Sequence, residues 1–269
     1  MTIDHYENFP VASFLLPAEL RPAVRTIYAF ARSADDFADE GELEDSERLA
    51  LLKNYEEEIK KIESALPSQR ALFIDLRSII EKHQIPTSLF LDLLSAFKQD
   101  ITIKQYGSFD TLLDYCRRSA NPVGRIMLHL FNEASEIHIA QSDDICTALQ
   151  LINFWQDVEL DLAKGRVYLP QEDLDQFEIS NLAQEALANS SKWRQLMQFE
   201  IDRARDLMLR GAPLAKDLPG RFGIELRMVV QGGLRILQKI EDVQYDVFKK
   251  RPTLKKWDGA IMMWHSLTM

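Results

Sequence analysis

Three features of this 269-residue sequence predict an all-α fold. The most frequent residue types include the strong helix formers Leu, Ala, Glu, Lys, Gln and Arg, and only 10 residues are glycine. Long segments repeat apolar residues with the helical period of about 3.6 residues. No segment has the sustained alternation of apolar and polar residues that is typical of strands. With 46% hydrophobic residues, the sequence predicts one globular helical domain over residues 1–269.

The first part of the chain contains two predicted helices. An apolar segment over residues 9–16 predicts a short helix that ends at Pro17. A longer helix is predicted over 18–40, with Gly41 as its stop. One face of this helix is apolar, and the opposite face carries polar side chains. These are Tyr28, Arg32, Asp35, Asp36 and Asp39.

The following helices are predicted from apolar periodicity and from turn residues between them. Their predicted ranges are 46–66, 69–82, 88–99, 108–131, 143–163, 190–210 and 223–248. We expect Pro122 to kink the helix over 108–131, because proline removes a backbone hydrogen-bond donor. We expect Gly165 to end the helix over 143–163.

The helix over 143–163 has an unusual polar stripe, formed by Gln150, Asn153, Asp157 and Asp161. Apolar residues flank the stripe on both sides, among them Phe154, Trp155 and Leu160, whereas a surface helix has one apolar and one wet face. We therefore expect this helix to be buried among others, with its stripe facing an internal cavity. Two carboxylates one turn apart repel each other and are costly to desolvate, so a cation should lie between them.

The spacing D-x-x-x-D is weak evidence on its own, because it occurs five times in this acidic chain. Asp202 and Asp206 lie among arginines, which would neutralise their charge. Asp110 stands at a helix start, where a carboxylate stabilises the helix by capping it. Only the pairs at 35–39 and 157–161 continue a polar stripe through an apolar helix. Such carboxylate pairs suit Mg²⁺, which prefers oxygen ligands and is usually completed by substrate phosphates.

Nearby cations favour a phosphate ligand. Arg32, Lys164 and Arg166 lie close in sequence to the two acidic pairs. Lys249, Lys250 and Arg251 could join these cations, but we interpret these C-terminal three, taken alone, as ordinary surface charge. Aromatic residues such as Phe154 and Tyr168 are by default core, but in a cavity their faces could stabilise a carbocation. The residues thus predict an enzyme that uses Mg²⁺ to ionise a diphosphate on an apolar substrate.

Other classes of function are disfavoured by composition and motifs. A net charge of −10 argues against a nucleic-acid partner. The five histidines have no zinc spacing, and neither a P-loop nor a dinucleotide motif is present. Two cysteines, Cys116 and Cys146, suit a reducing cytoplasm. No apolar run approaches the ~20 residues that cross a bilayer, so we expect a cytoplasmic protein with at most peripheral contact to the inner membrane face.

The two acidic segments resemble the paired motifs of squalene and phytoene synthases. They read YAFARSADDFAD (28–39) and QLINFWQDVELDLAKGRVYLP (150–170). With NFPVASFLLP (8–17), YCRRSANPVGR (115–125) and KKRPTLKKWD (249–258), the chain most resembles the bacterial hopanoid-pathway branch, the hydroxysqualene synthases. This resemblance implies the isoprenoid synthase fold, a helical bundle around a central cavity.

The resemblance also implies roles for individual residues. Mg²⁺ and the diphosphate would be held by Asp35, Asp36, Asp39, Asp157 and Asp161. Phosphate contact or ligand orientation would fall to Arg32, Arg166 and Tyr168. The cavity near the cationic centre would be lined by Phe9, Tyr28, Gln150 and Asn153. The implied reaction is that of a carbon–oxygen lyase, in which presqualene diphosphate loses diphosphate and water captures the rearranged cation as hydroxysqualene.

One segment departs from relatives that finish by reduction or deprotonation. Where those relatives are largely uncharged, this chain has Arg117, Arg118, Ser119 and Asn121, followed by Gly124. We hypothesise that this polar stretch orients the quenching water; alternatively, the arginine pair simply faces solvent.

Two other functions stay open. One is condensation of two farnesyl diphosphates to presqualene diphosphate or squalene, and the other is a non-catalytic role as an assembly or binding protein.

Overall fold

The structure is a computed structural model that describes residues 16–39, 41, 43–182, 187, 190–249 and 251–268. These residues contain no β-strand, and an isolated parallel bridge pairs Gln105 with Val167. The predicted all-α class is therefore confirmed. None of the helices in the described ranges is both long and apolar enough to cross a membrane.

The helices follow each other along the chain with short connections. In chain order they are α1 (Arg21–Asp39), α2 (Asp45–Glu63), α3 (Ala71–His83), α4 (Thr87–Thr102), α5 (Phe109–Ser119), α6 (Asn121–Leu130), α7 (Glu136–Gln156), α8 (Val158–Ala163), α9 (Gln171–Gln176), α10 (Ser191–Gly211), α11 (Leu214–Asp217), α12 (Gly220–Asp242) and α13 (Lys256–Thr268).

The chain divides into two compact units. The first comprises the described residues up to Ile103 together with Arg117–Ile139. In it, α1 packs against α2, α3 and α4. Its core is aromatic, since the Phe30 ring lies 5.4 Å from Phe90, 5.7 Å from Tyr55 and 6.0 Å from Phe73. Because the apolar face of α1 is buried in this core, its acidic face is left on the other side.

The second unit comprises Lys104–Cys116 and the described residues from Ala140 onward. In it, α12 packs against α10, α11 and α13. Two glycines allow close helix approach. A Cβ atom on Gly233 would lie 2.6 Å from Met208 Cε, and one on Gly211 would lie 2.5 Å from the Gln141 carbonyl oxygen. A side chain at Gly211 would meet the backbone of α7 and push α10 away from it, whereas one at Gly233 would require the Met208 side chain to shift.

A buried charged cluster fixes α9 on α10 in the second unit. Arg203 donates to Asp173 Oδ2 at 2.7 Å and lies 3.5 Å from both carboxylate oxygens of Glu200. Asp173 and Glu200 are 2% and 0% exposed. Burial raises the pKa of the Glu200 carboxyl to about 8, and the nearby Asp173 charge acts in the same direction against Arg203.

Two helices that were predicted as continuous are broken. The helix predicted over 108–131 stops at Ser119 and restarts at Asn121, so that Pro122 lies in the first turn of α6, where a missing N–H is tolerated. The helix predicted over 143–163 is interrupted at Asp157, which has φ −107° and ψ 15°. Because the chain turns there, Leu160 is 49% exposed, although it was expected to flank a buried stripe.

Other differences concern the chain ends and short helices. The helix predicted over 223–248 ends at Asp242, and Gln244 and Tyr245 then adopt positive φ angles of 56° and 65°. Periodicity missed α9 and α11, which are too short to show a period, and also α13. The short helix predicted over 9–16 falls almost wholly outside the described residues, and so does Phe9.

Candidate functional site

The first acidic motif lies on one unbroken helix, α1. Arg32 Nη1 lies 3.2 Å from Asp35 Oδ2, and Arg32 Nη2 lies 2.7 Å from Asp36 Oδ1. These pairs are i,i+3 and i,i+4, which places the three side chains on one helix face. Tyr28 is half-buried on the same helix, and Asp39, the last residue of α1, is exposed. The predicted grouping of these five residues on one helix face therefore matches the helix that forms.

The end of α1 beside Asp39 is fixed by Arg48 of α2. The buried Arg48 guanidinium donates to the carbonyl oxygens of Phe37 at 2.9 Å, Gly41 at 2.7 Å and Leu43 at 3.1 Å. The Phe37 carbonyl lies in the last turn of α1, where it lacks an intrahelical donor, and the other two carbonyls lie in the connection to α2. A cation at this helix end also suits the helix dipole. Sequence reasoning gave no role to Arg48, because arginine is mostly exposed and α2 is rich in charged residues.

The second acidic motif is built around the helix break at Asp157. The Asp157 amide donates to the Asn153 carbonyl at 3.0 Å, and the Asp161 amide donates to the Asp157 carbonyl at 2.9 Å. The backbone ladder therefore bends but stays hydrogen-bonded on both sides of Asp157. The side chains of Gln150 and Asn153 are half-buried on α7, two turns and one turn before the break, respectively.

A cation does hold the Asp157 carboxylate, and it is Arg251. Its Nη2 donates to Asp157 Oδ2 at 3.0 Å and its Nε donates to Oδ1, so the pair is bidentate. The Asp157 side chain is 15% exposed. Next to this pair, the buried Gln156 amide donates to the Pro252 carbonyl. The interpretation of Arg251 as ordinary surface charge was therefore wrong.

A small, partly open pocket lies beside this motif in the second unit. Its lining combines one carboxylate, one guanidinium and an apolar and aromatic wall. The lining residues are Phe154, Val158, Asp161, Leu162, Arg166, Val167, Tyr168, Leu169 and Leu182. The sequence had singled out Asp161, Arg166 and Tyr168 as site residues, and the structure brings these three together.

The turn after α8 returns Arg166 and Tyr168 to the pocket. Gly165 has φ +70°, a conformation that glycine adopts without strain, and the Arg166 amide donates to the Asp161 carbonyl at 2.8 Å. The Val167 amide then donates to the Lys104 carbonyl at 2.8 Å. The segment after α8 is therefore held at both ends by backbone hydrogen bonds, which keeps the pocket wall in place.

Four aromatic rings form a cluster at this wall, and three of them are stacked. Phe154 and Tyr168 are parallel, with 3.7 Å between ring centroids and 7° between planes. The Tyr106 ring lies 5.8 Å from Tyr168, and the Tyr115 ring lies 6.3 Å from both Phe154 and Tyr168. Sequence reasoning missed Tyr106 and Tyr115, because Tyr106 lies in a loop without periodicity. Tyr115 opens the YCRR segment and could have been noticed there.

The polar segment between α5 and α6 lies in the first unit. Arg117 is exposed, whereas Arg118 donates to Ser95 Oγ at 2.9 Å and to Gln99 Oε1 at 2.5 Å. Ser119 and Asn121 are 9% and 5% exposed. The Ser119 hydroxyl oxygen is buried and, among the described residues, has no hydrogen-bond partner. Such an unsatisfied polar atom is uncommon in a folded protein and calls for a ligand or a water.

Gly124, which the sequence also placed in this segment, is half-buried in α6, one turn after Asn121.

The donor atoms of both motifs fit the predicted metal. In the described ranges, no three His, Cys, Asp or Glu side chains come close enough together to hold a metal ion. Mg²⁺ does not require such a cage, since it takes one or two protein carboxylates and fills its shell with water and phosphate oxygens. Asp35, Asp36, Asp157 and Asp161 are all partly accessible carboxylates. Arginine guanidinium groups form ion pairs with Asp35, Asp36 and Asp157, so each of these three positions favours a positive charge nearby.

Comparison with known proteins gives consistent matches. The squalene/phytoene synthase family matches residues 3–258. A hydroxysqualene synthase from Zymomonas mobilis is 38% identical over 63% of this chain and 56% of its own length. One from Rhodopseudomonas palustris is 33% identical over 87% of this chain and 80% of its own length. The crystal structure of squalene synthase HpnC from Alicyclobacillus acidocaldarius superposes with a TM-score of 0.82 at 36% identity, covering 90% of both chains.

Proposed function

The chain belongs to the squalene/phytoene synthase family, and we propose that it converts presqualene diphosphate to hydroxysqualene, in squalene and hopanoid biosynthesis. Members of this family act on isoprenoid diphosphates. The observation that carries the proposal is the pocket of the second unit, in which Asp161 and Arg166 lie beside the stacked Phe154 and Tyr168 rings. A diphosphate head needs the charged surface, and an apolar tail that becomes cationic when the diphosphate leaves needs the aromatic one.

The charged residues would bind and orient the diphosphate. Mg²⁺ would be held by Asp35, Asp36, Asp39, Asp157 and Asp161, and when bound it would neutralise the charge of the leaving diphosphate. Arg166 would donate hydrogen bonds to the phosphate oxygens, because a guanidinium matches their geometry. Arg32 and Arg251 keep the carboxylates beside them oriented before substrate arrives.

The aromatic wall would protect the cation that forms. When the carbon–oxygen bond of presqualene diphosphate breaks, its electron pair leaves with the diphosphate, and a cyclopropylcarbinyl cation remains. Phe154 and Tyr168 line the pocket, where their π electrons would stabilise such a cation and their apolar surface would keep bulk water away. After rearrangement, one water molecule adds its oxygen to the cation and loses a proton, which gives hydroxysqualene and inorganic diphosphate.

The polar segment of the first unit would supply the position of that water. Ser119 offers a buried hydroxyl that has no hydrogen-bond partner among the described residues, and Pro122 has no N–H to donate to the Arg118 carbonyl. Both groups could hold one water molecule. Replacing Ser119 by Ala or Asn121 by Leu should shift part of the product from hydroxysqualene to deprotonated hydrocarbons. Hydroxysqualene as the sole product of both variants, formed at the wild-type rate, would rule out this role.

The substrate can be decided by one experiment. Purified full-length protein is incubated with Mg²⁺ and either presqualene diphosphate or farnesyl diphosphate, without NADPH. We expect hydroxysqualene from presqualene diphosphate, and no reaction after a chelator removes Mg²⁺. Conversion of farnesyl diphosphate to presqualene diphosphate or squalene would instead favour the condensation reaction. Turnover of neither substrate would contradict both and favour a non-catalytic role.

A further inference from the structure

The last helix, α13, has an exposed face made of large apolar side chains. Trp257 and Trp264 are 56% and 67% exposed, and Met263 between them is 48% exposed. Trp257, Ala260 and Trp264 follow the spacing i, i+3, i+7 and so share one helix face. Asp258 and Ser266 on the opposite face are 0% and 3% exposed. The outward face of this helix is therefore apolar, the reverse of an ordinary surface helix.

The orientation of α13 is fixed by a buried ion cluster. Asp258 accepts hydrogen bonds from Arg235 Nε at 2.9 Å and from the Lys255 amide at 2.6 Å, and its Oδ2 lies 2.6 Å from Lys239 Nζ. Burial raises the pKa of Asp258, but the bonds from Lys239, the Lys255 amide and Arg235 outweigh it and hold that pKa well below its usual range. Asp258 thus stays charged and keeps α13 docked on α12.

The same cluster holds Trp257 in place. The Arg235 guanidinium and the Lys239 ammonium lie 5.4 Å and 5.3 Å from the Trp257 ring centroid. On the inner side of the helix, a Cβ atom on Gly232 of α12 would lie 3.3 Å from Met262 Cε. A glycine at this position lets α13 approach α12 closely. Because α13 cannot rotate without breaking these contacts, its tryptophan face is held toward the outside.

A concentration of positive charge accompanies this apolar face. The chain as a whole carries a net charge of −10, yet residues 249–256 (KKRPTLKK) contain five cations and no acidic residue. Of these, Lys249, Lys255 and Lys256 are exposed, whereas Arg251 is engaged with Asp157. Leu254, in the same segment, is 43% exposed. Apolar side chains and lysines therefore lie on the same stretch of surface.

We propose that the outer face of α13, together with Lys255 and Lys256, docks on the surface of an anionic lipid bilayer. Tryptophan favours the boundary between headgroups and acyl chains, because its ring is apolar and its N–H is polar. Each lysine close to an anionic membrane adds electrostatic attraction, which salt screens. The helix would lie in the plane of the membrane surface rather than cross it.

A second copy of the chain is a poorer occupant for this face. A two-fold interface would place the lysines of one copy near those of the other, since the same patch is used twice. One helix face also offers much less than the roughly 800 Å² per partner of a stable protein interface. The choice of a lipid surface rests in part on the proposed function, because a squalene-like product is almost insoluble in water and must pass into a membrane.

Vesicle binding tests this proposal. Full-length protein is sedimented with phosphatidylcholine vesicles that contain or lack phosphatidylglycerol, at low and high salt. We expect binding to the anionic vesicles that weakens with salt. The double variant Met263→Ser/Trp264→Ser should bind at least about 10-fold more weakly, since two apolar anchors are lost. Lys255→Gln/Lys256→Gln should lose most of the preference for anionic lipid.

The matched control is Ile137→Ser, since Ile137 on α7 is as exposed as Trp264, at 67%. It should bind like the wild type. Absence of wild-type binding to anionic vesicles, equal binding by the Met263→Ser/Trp264→Ser variant, or a dimer that this variant abolishes would each overturn the proposal. Turnover of detergent-dispersed presqualene diphosphate is measured in parallel. Turnover without vesicle binding refutes only the docking surface, and vesicle binding without turnover refutes only the proposed function.

Discussion

The two acidic motifs are assembled in different ways. On α1, Asp35 and Asp36 are held by Arg32, a neighbour on the same unbroken helix. At the second motif, the helix breaks at Asp157, and the cation is Arg251, which lies 94 residues further along the chain. The first arrangement needs only that one helix forms, whereas the second needs the C-terminal segment in its folded place. The second motif should therefore be the one that tertiary structure controls.

The C-terminal segment is held by contacts on both sides of Arg251 and Pro252. Gln156 donates to the Pro252 carbonyl, Lys239 Nζ donates to the Thr253 carbonyl at 3.0 Å, and the Lys255 amide donates to Asp258. These contacts join α7, α12 and α13 to one short stretch of chain. Changes in α13 can therefore reach Asp157 through this stretch.

The largest expected effect is on catalysis. A lost carboxylate should lower kcat by a similar factor in either motif. Asp35→Asn and Asp157→Asn each remove a carboxylate charge that we assign to Mg²⁺ and the diphosphate. We expect each variant to lose about 100-fold or more in kcat on presqualene diphosphate. The control is Asp202→Asn, in the exposed D-x-x-x-D pair of Asp202 and Asp206, where Asp202 forms an ion pair with Arg205. Its kcat should stay within about 2-fold of the wild-type value. Full activity of either site variant would remove that motif from the mechanism.

A second prediction concerns how the stability of the second unit depends on pH. The titrating group is Glu200, in the buried cluster that joins α9 to α10. The folded state raises the pKa of Glu200 to about 8 from its ordinary value of 4.5, so the native protein holds a proton that the unfolded chain releases. This contribution is complete below about pH 4.5 and is lost as pH rises through 8. We expect a loss of roughly 2–4 kcal/mol in the free energy of unfolding across this window.

Urea unfolding of wild type and Glu200→Gln at several pH values measures this effect. Glutamine resembles the protonated carboxyl, so the variant should lack the decline and should be the more stable protein above pH 8. Glu63→Gln, at an exposed site on α2, controls for the substitution itself. Parallel pH profiles for wild type and Glu200→Gln would show that Glu200 does not titrate in this range.

The smallest expected effect separates the two motifs directly. Arg251→Gln leaves the mostly buried Asp157 carboxylate without its bidentate partner, which should lower the free energy of unfolding by about 1–2 kcal/mol. Arg32→Gln removes a partly exposed pair within one helix, which should lower it by less than about 0.5 kcal/mol. Urea denaturation in Mg²⁺-free buffer measures both. Equal losses would mean that the second motif does not depend more on tertiary structure.

The same contrast explains what could be predicted from sequence. The acidic face of α1 was predicted because helix geometry alone places Arg32 beside Asp35 and Asp36. The family was identified from contiguous segments such as GRVYLP, and the family match confirms it. The break at Asp157 was missed because the apolar period continues through it, from Phe154 to Val158. Arg251 was discounted and Tyr106 was overlooked, since each acquires its role through contacts with residues far away in sequence.

The central claim is that this chain ionises presqualene diphosphate and that water captures the resulting cation. The most direct test is turnover of presqualene diphosphate with Mg²⁺ in water enriched in oxygen-18, followed by mass spectrometry of the products. We expect hydroxysqualene in which the hydroxyl oxygen carries the label. An unlabelled alcohol that keeps the substrate oxygen, or a hydrocarbon as the only product, would contradict the claim.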